Sequence, residues 1–224
     1  MGMKACASRG KRTVIMAGMD NPSCDQELLI SIDIETAGPS PRMYSILSIG
    51  ACMIFEPAKT FYVEIQPMNE NFRPEALQIS GLSMEKLKAT GLPPRDAMSR
   101  FADWLVEVTP REHKPVFVAF NAPFDWMFVN DYFHNFLGRN PFGYNALDIK
   151  AFYMGMTGSC WHETSMTNVT RHYFGERRLS HHALQDAIDQ AEIFRLMLAE
   201  ALRHKNAENG SSGISVVEEK RSVS

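Results

Sequence analysis

The stretch "LISIDIETAGPSP", Leu29 to Pro41, opens as an apolar strand and closes on a turn signal, with Asp33 and Glu35 near its end. In a strand, residues i and i+2 share a face, so both carboxylates emerge on one side. Two like charges a few ångströms apart raise each other's pKa unless a cation lies between them. Burying them costs free energy that a positive partner must offset. A pair of oxygen ligands suits a hard ion such as Mg²⁺ or Mn²⁺. A solvated sheet edge carries the same pattern, so the reading turns on what converges with it.

Outward from this strand the chain alternates between two periodicities. Leu28 to Ile34, Tyr44 to Phe55 and Thr60 to Pro67 are apolar or alternating runs separated by turn signals, which predicts three consecutive strands. "RPEALQIS", "SMEKLKAT" and "PPRDAMSRFADWLVEV" read as helices, the last with Met98, Phe101, Trp104 and Leu105 at helical spacing. "KPVFVAFN" is a fourth, fully apolar strand leading into the helix "APFDWMFVNDYFHNFLG", which Gly138 ends. A final helix is expected from near Ser180 or His181 to about His204, burying Leu184, Ala187, Ile188, Ala191, Phe194, Leu198 and Ala201. The order β-β-β-α-β-α-α predicts an α/β layered domain with a mixed sheet.

The chain has 224 residues, enough for one domain with a substantial core and too few for two comfortable ones. Residues 1–27 read as a disordered leader, 28–204 as the folded domain and 205–224, polar and rich in Gly and Ser, as a flexible tail. No apolar run approaches the roughly 20 residues of a membrane helix, so no membrane partner is expected. Cys6, Cys24, Cys52 and Cys160 form no C-x-x-C pair, which suits free thiols in a reducing, cytoplasmic setting. Residues 28–204 hold 16 Lys/Arg and 20 Asp/Glu, a net −4. That balance lacks the basic surplus that tracks a long duplex, so any polynucleotide is expected to be held locally.

Two later segments supply candidate partners for Asp33 and Glu35. Asn121 stands where it can cap the helix that follows the fourth strand, and Asp125 lies in that helix's first turns, beside the strand end. A helix start is also a sufficient structural reason for an Asp. In "RRLSHHALQDAIDQA", Ser180 reads as a helix cap, and Asp186 and Asp189 are about a turn apart, so one is expected inside and the other in solvent. His181, just before the helix, is free to point at whatever Asp186 ligates. "CWHET", with Trp161 and His162, has no partner at metal-ligand spacing and reads as loop or core.

Taken together, "DIETAG", "FNAPFD" and "HHALQDA" resemble the three exonuclease motifs of the DEDD superfamily, in the branch with histidine in its third motif, DEDDh. That branch includes the proofreading subunit of bacterial DNA polymerase III, ribonuclease T and oligoribonuclease. The resemblance spans residues 28 to about 200 and implies a single-domain ribonuclease H-like fold, a mixed β-sheet flanked by α-helices. It implies that Asp33, Glu35, Asp125 and Asp186 hold two Mg²⁺ (or Mn²⁺) ions, with Asp33 bridging. Such ions about 4 Å apart clamp the attacking and leaving oxygens of a phosphodiester displacement. His181, five residues before Asp186, is implied as general base, a task suited to imidazole at neutral pH. Thr36 is implied in contact with the terminal nucleotide; Asn121 and Phe124 line the second motif, Phe124 as core first and a stacking surface second.

The implied activity is 3′→5′ exonuclease action on single-stranded ends, releasing nucleoside 5′-monophosphates. DNA and RNA both remain open, since Ala37 stands where many DNA proofreaders carry threonine and Ser48 where an acid often precedes the Ile-Gly pair. A DNA polymerase or a homodimer partner stays open as well. Arg171, Arg177 and Arg178 precede His181 and read as phosphate grips or as a solvated basic loop. Two other classes compete: a catalytically silent nucleic-acid or polymerase-binding module of the same fold, and an unrelated phosphoesterase acting on a small nucleotide.

Overall fold

A computed structural model describes residues 26–176 and 180–211. The opening stretch forms β1 (Glu27–Thr36), followed by β2 (Ile46–Met53) and β3 (Thr60–Glu64). Three helices come next, α1 (Pro74–Ser80), α2 (Met84–Thr90) and α3 (Pro94–Val108). Strand β4 (Lys114–Ala119) feeds α4 (Ala122–Leu137), and the short β5 (Ala146–Asp148) feeds α5 (Ile149–Thr157). A 3-10 turn (Trp161–Thr164), α6 (Met166–Phe174) and α7 (Ala183–Ser211) complete the described chain.

The five strands lie in the order β3-β2-β1-β4-β5, with β1–β2 and β2–β3 antiparallel and β1–β4 and β4–β5 parallel. This is the single-domain, ribonuclease H-like mixed sheet the sequence predicts. Helices cover both faces, which is why β2 is buried along its whole length. Ile30, Ile32 and Ile34 of β1 pack with Phe101, Phe128 and Phe133 of α3 and α4. On the opposite face, Cys52 and Val118 pack with Ile149, Ala191 and Phe194 of α5 and α7. The period of two therefore sends Asp33 and Glu35 toward α7.

One glycine fixes how close α7 can come. Gly50 pairs with Asp33 across β1 and β2. A Cβ on Gly50 would stand 2.2 Å from the backbone of both Ala183 and Leu184. The first turn of α7 thus rests on bare sheet backbone directly beside Asp33.

Several expectations need correction. Strand β5, α5 and α6 have no counterpart among the expected elements; β5 is three residues long, too short to show a period. Helix α7 begins at Ala183 and continues past His204 to Ser211, because Lys205, Ala207 and Glu208 are good helix formers and the glycine-rich run starts only at Gly210. Glu27, placed in the leader, is already strand. The remaining leader to residue 25, the tail from residue 212, and Arg177 and Arg178 lie outside the described residues.

Candidate active site

The parallel ladder between β1 and β4 stops at Ser31 and Val118, so β1 overhangs the end of β4. The overhang leaves the Ile34 N–H without a strand partner on that side. Asp125, in the first turn of α4, takes it up through Oδ1 at 3.1 Å. That bond ties the Asp125 carboxylate to the backbone of the residue that separates Asp33 from Glu35. From the other side α7 brings Asp186, and one carboxylate oxygen each from Asp33, Glu35 and Asp186 lie within 4.8 Å of one another.

Burial and mutual repulsion show in the acidities. Burial, then the charges of Asp125, Glu35 and Asp186, hold Asp33 well above the ordinary carboxylate range. Burial and Asp186 push Glu35 up to about 7. Burial pushes Asp125 up to about 8, against the Ile34 hydrogen bond that favours its anion. Asp186 is also raised by burial, while Ser180 and His181 work in the opposite direction. A site that disfavours its own ionised form, built only of carboxylate oxygens, has the donor chemistry of a hard divalent cation.

The backbone around the acids is strained. Among the described residues, the two non-glycine positions with positive φ are Asn121 (63°) and His181 (52°), which introduce Asp125 and Asp186. Asn121 sits at the cap position of α4, but its side chain makes no cap hydrogen bond. The Ala122 N–H is instead taken by Oδ1 of Asp148, at the end of β5. Ser180 does not cap α7 either; its N–H and hydroxyl both donate to Asp186 Oδ1, at 3.2 and 3.1 Å. Both Asp186 and Asp189 are buried, so the expected inside–outside split fails; Asp189 accepts a hydrogen bond from Gln185.

The two histidines part ways. His182 stacks on Tyr62 of β3, ring centroids 4.7 Å apart. The charge of His181 is the one felt by Asp186. Arg171 pairs with Glu176 at 3.8 Å, both well exposed. Beside Glu35 opens a cleft of about 440 Å³ lined by Thr36, Gly38, Arg73, Ile79 and Phe124. The Thr36 hydroxyl donates to the Gly38 carbonyl at 2.9 Å and shapes the turn, and Phe124 packs against Phe128 while flooring the cleft.

Two residues that the motifs did not single out are tied into this site. Gln190, 1% exposed, donates from Nε2 to Asp33 Oδ1 at 2.6 Å and accepts the Phe120 N–H through Oε1 at 2.8 Å. Its signal was its place one helical turn beyond Asp186, a polar residue on the stripe that continues through Ala191 and Phe194. Asp148, whose charge acts on Asp125, had no signal because β5 itself had none.

The chain is similar to known exonucleases in sequence and in fold. The family described as "3'-5' exoribonuclease Rv2179c-like domain" matches residues 29–198. A relative from Escherichia coli, 3'-5' DNA exonuclease Cap18, is 48% identical over 173 residues, 77% of this chain and 92% of the relative. Among solved structures, the nuclease domain of 3'hExo, a DEDDh family member bound to rAMP, superposes with a TM-score of 0.65 at 18% identity, covering 77% of this chain and 92% of that one. Escherichia coli exonuclease I in complex with a dT13 oligonucleotide gives a TM-score of 0.64 at 16% identity, covering 81% of this chain and 43% of that one.

Proposed function

The chain belongs to the Rv2179c-like family and is a 3′-5′ exonuclease, and from that premise we propose that it works as a nuclease of the DEDDh type, trimming single-stranded 3′ ends to nucleoside 5′-monophosphates. The observation that carries this reading is the convergence of Asp33, Glu35 and Asp186 oxygens within 4.8 Å, with Asp125 pinned beside them. In this reading those four carboxylates hold two Mg²⁺ or Mn²⁺ ions. When bound, such ions lower the pKa of the attacking water and offset charge on the phosphodiester oxygens.

The chain's own residues do the rest. His181, at the start of the segment that carries Asp186, accepts the proton of the attacking water. Gln190 holds the Asp33 carboxylate in one orientation through its bond to the end of β4. Thr36 and Phe124, in the cleft beside Glu35, receive the terminal nucleotide, with Asn121 setting the entry of α4.

DNA is the leading substrate, supported by the 48% identical relative named a DNA exonuclease. RNA is the second reading, supported by the family description as an exoribonuclease domain. A cytoplasmic location fits the free thiols of Cys52 and Cys160. Among the described residues no helix is long and apolar enough to cross a membrane.

The test supplies 5′-labelled DNA and RNA oligomers of matched sequence with Mg²⁺ or Mn²⁺. Stepwise shortening from the 3′ end is expected, faster on DNA. Faster loss of RNA would reverse the substrate order, and no shortening of either polymer at any metal concentration would remove the nuclease reading.

A further inference from the structure

Trp161 is a large aromatic side chain left 53% exposed, and the exonuclease motifs give it no task. Its position is well fixed. The Cys160 N–H donates to Glu163 Oε2 at 2.8 Å, and the fully buried Thr164 donates its hydroxyl to the Trp161 carbonyl at 2.7 Å. The Lys150 ammonium lies 3.9 Å from the centroid of the indole. Lys150 is in the first turn of α5, so the chain has doubled back after α5 and returned Trp161 to the end where that helix begins.

That end is the end that bears the acids. Asp148, the α5 cap, accepts both the Lys150 N–H and the Ala122 N–H through Oδ1, at 3.2 and 3.1 Å. Ala122 opens α4, three residues before Asp125, and Asp148 is close enough to raise the Asp125 pKa. Phe124 of the cleft is the neighbour of Asp125 in α4, and the Lys150–Trp161 pair follows β5, the edge strand beyond β4. A 3′-terminal nucleotide seated in the cleft puts the scissile phosphate at the acids. The strand upstream must leave on another side, and the β5 side offers it an exposed aromatic face with a cation against it.

We propose that Trp161 and Lys150 form a platform for the single strand upstream of the scissile bond, the indole stacking on a nucleobase and the ammonium meeting a backbone phosphate. This rests on the nuclease reading above. Stacking on an aromatic face is tolerant of sequence, and one cation per phosphate suits a protein without a basic surplus. The platform therefore serves the upstream part of a longer strand and is expected to contribute less to a dinucleotide.

The test compares kcat/KM on a single-stranded oligomer of about ten nucleotides, within the span that single-strand sites cover, with kcat/KM on a dinucleotide. Trp161→Ala is expected to lower the oligomer value by about 5- to 150-fold, mainly through KM, the range one base stack supplies. The loss on the dinucleotide should be several-fold smaller, and Trp161→Phe should recover most of the oligomer rate. Lys150→Ala should weaken oligomer binding and flatten its salt dependence. Tyr144→Ala serves as control, since Tyr144 is an aromatic 88% exposed before the opposite end of β5. Equal losses on both lengths, or none on the oligomer, would overturn the platform while leaving the exonuclease intact. A wild-type protein that cleaves neither substrate would remove the nuclease reading and the platform with it.

Discussion

At the scale of the residue, the sharpest question is which of two adjacent histidines does the chemistry. His182 is committed to a stack with Tyr62, whereas His181, held at φ 52°, is the one whose charge reaches Asp186. His181→Ala should lower kcat by about 10²- to 10⁴-fold, the contribution of a positioned general base. His182→Ala, which removes only a ring stack at the surface, should change kcat by less than about threefold, since surface substitutions shift stability by only a few tenths of a kcal/mol. Steady-state assays on a labelled oligomer decide it, and the reverse ranking would move the base to His182. Asp33, Glu35 and Asp186, which the fold brings together, were legible as candidates because each stands at a strand end or helix start, where spacing fixes direction, whereas the role given to His181 is what the family resemblance implies. Gln190 was illegible for the opposite reason. A glutamine inside a helix can face anywhere, and only the fold shows the Phe120 N–H that orients it.

At the scale of the element, the site depends on how closely α7 approaches the sheet. The Ala183–Leu184 backbone rests on Gly50, the residue paired with Asp33. Gly50→Ala would set a methyl group 2.2 Å from that backbone, so the helix must move. Backbone cannot give way as a flexible side chain does, and overpacking of this kind costs about 1–3 kcal/mol. Displacing α7 also carries Asp186 away from Asp33 and Glu35. The variant should therefore melt lower and lose at least about 10²-fold in kcat/KM, the scale seen when a preorganised charge-stabilising group is misplaced. A variant with wild-type melting and wild-type rate would show that α7 does not set the site. Strong periodicity made β1, α3 and α4 readable at this scale, and the same logic explains what was missed. Three residues of β5 carry no period, yet through Asp148 they anchor both α4 and α5.

At the scale of the whole molecule, the acid cluster links folding to proton binding. Glu35 at about 7 and Asp125 at about 8 both lie above the ordinary carboxylate values near 4 that the unfolded chain retains. Between about pH 4 and pH 8 the folded state thus binds more protons than the unfolded state, and stability falls as pH rises. The metal-free protein should melt at a higher temperature at pH 5 than at pH 8, by about 2–4 °C for each kcal/mol of linkage. In the proposed function divalent cations bind the ionised carboxylates of the folded state, so Mg²⁺ or Mn²⁺ should raise the pH 8 melting temperature in a concentration-dependent way. Asp33→Asn separates stability from catalysis. It keeps an Oδ1 for Gln190 and leaves the cluster with one fewer group able to ionise. In chelator at pH 8 it should melt above wild type while losing at least about 10²-fold in activity with metal. Calorimetry in chelator, then with Mg²⁺ or Mn²⁺, supplies the measurement. A metal-free wild type that grows more stable from pH 5 to pH 8, or an Asp33→Asn variant that melts lower than wild type, would mean the carboxylates are not held against their own repulsion.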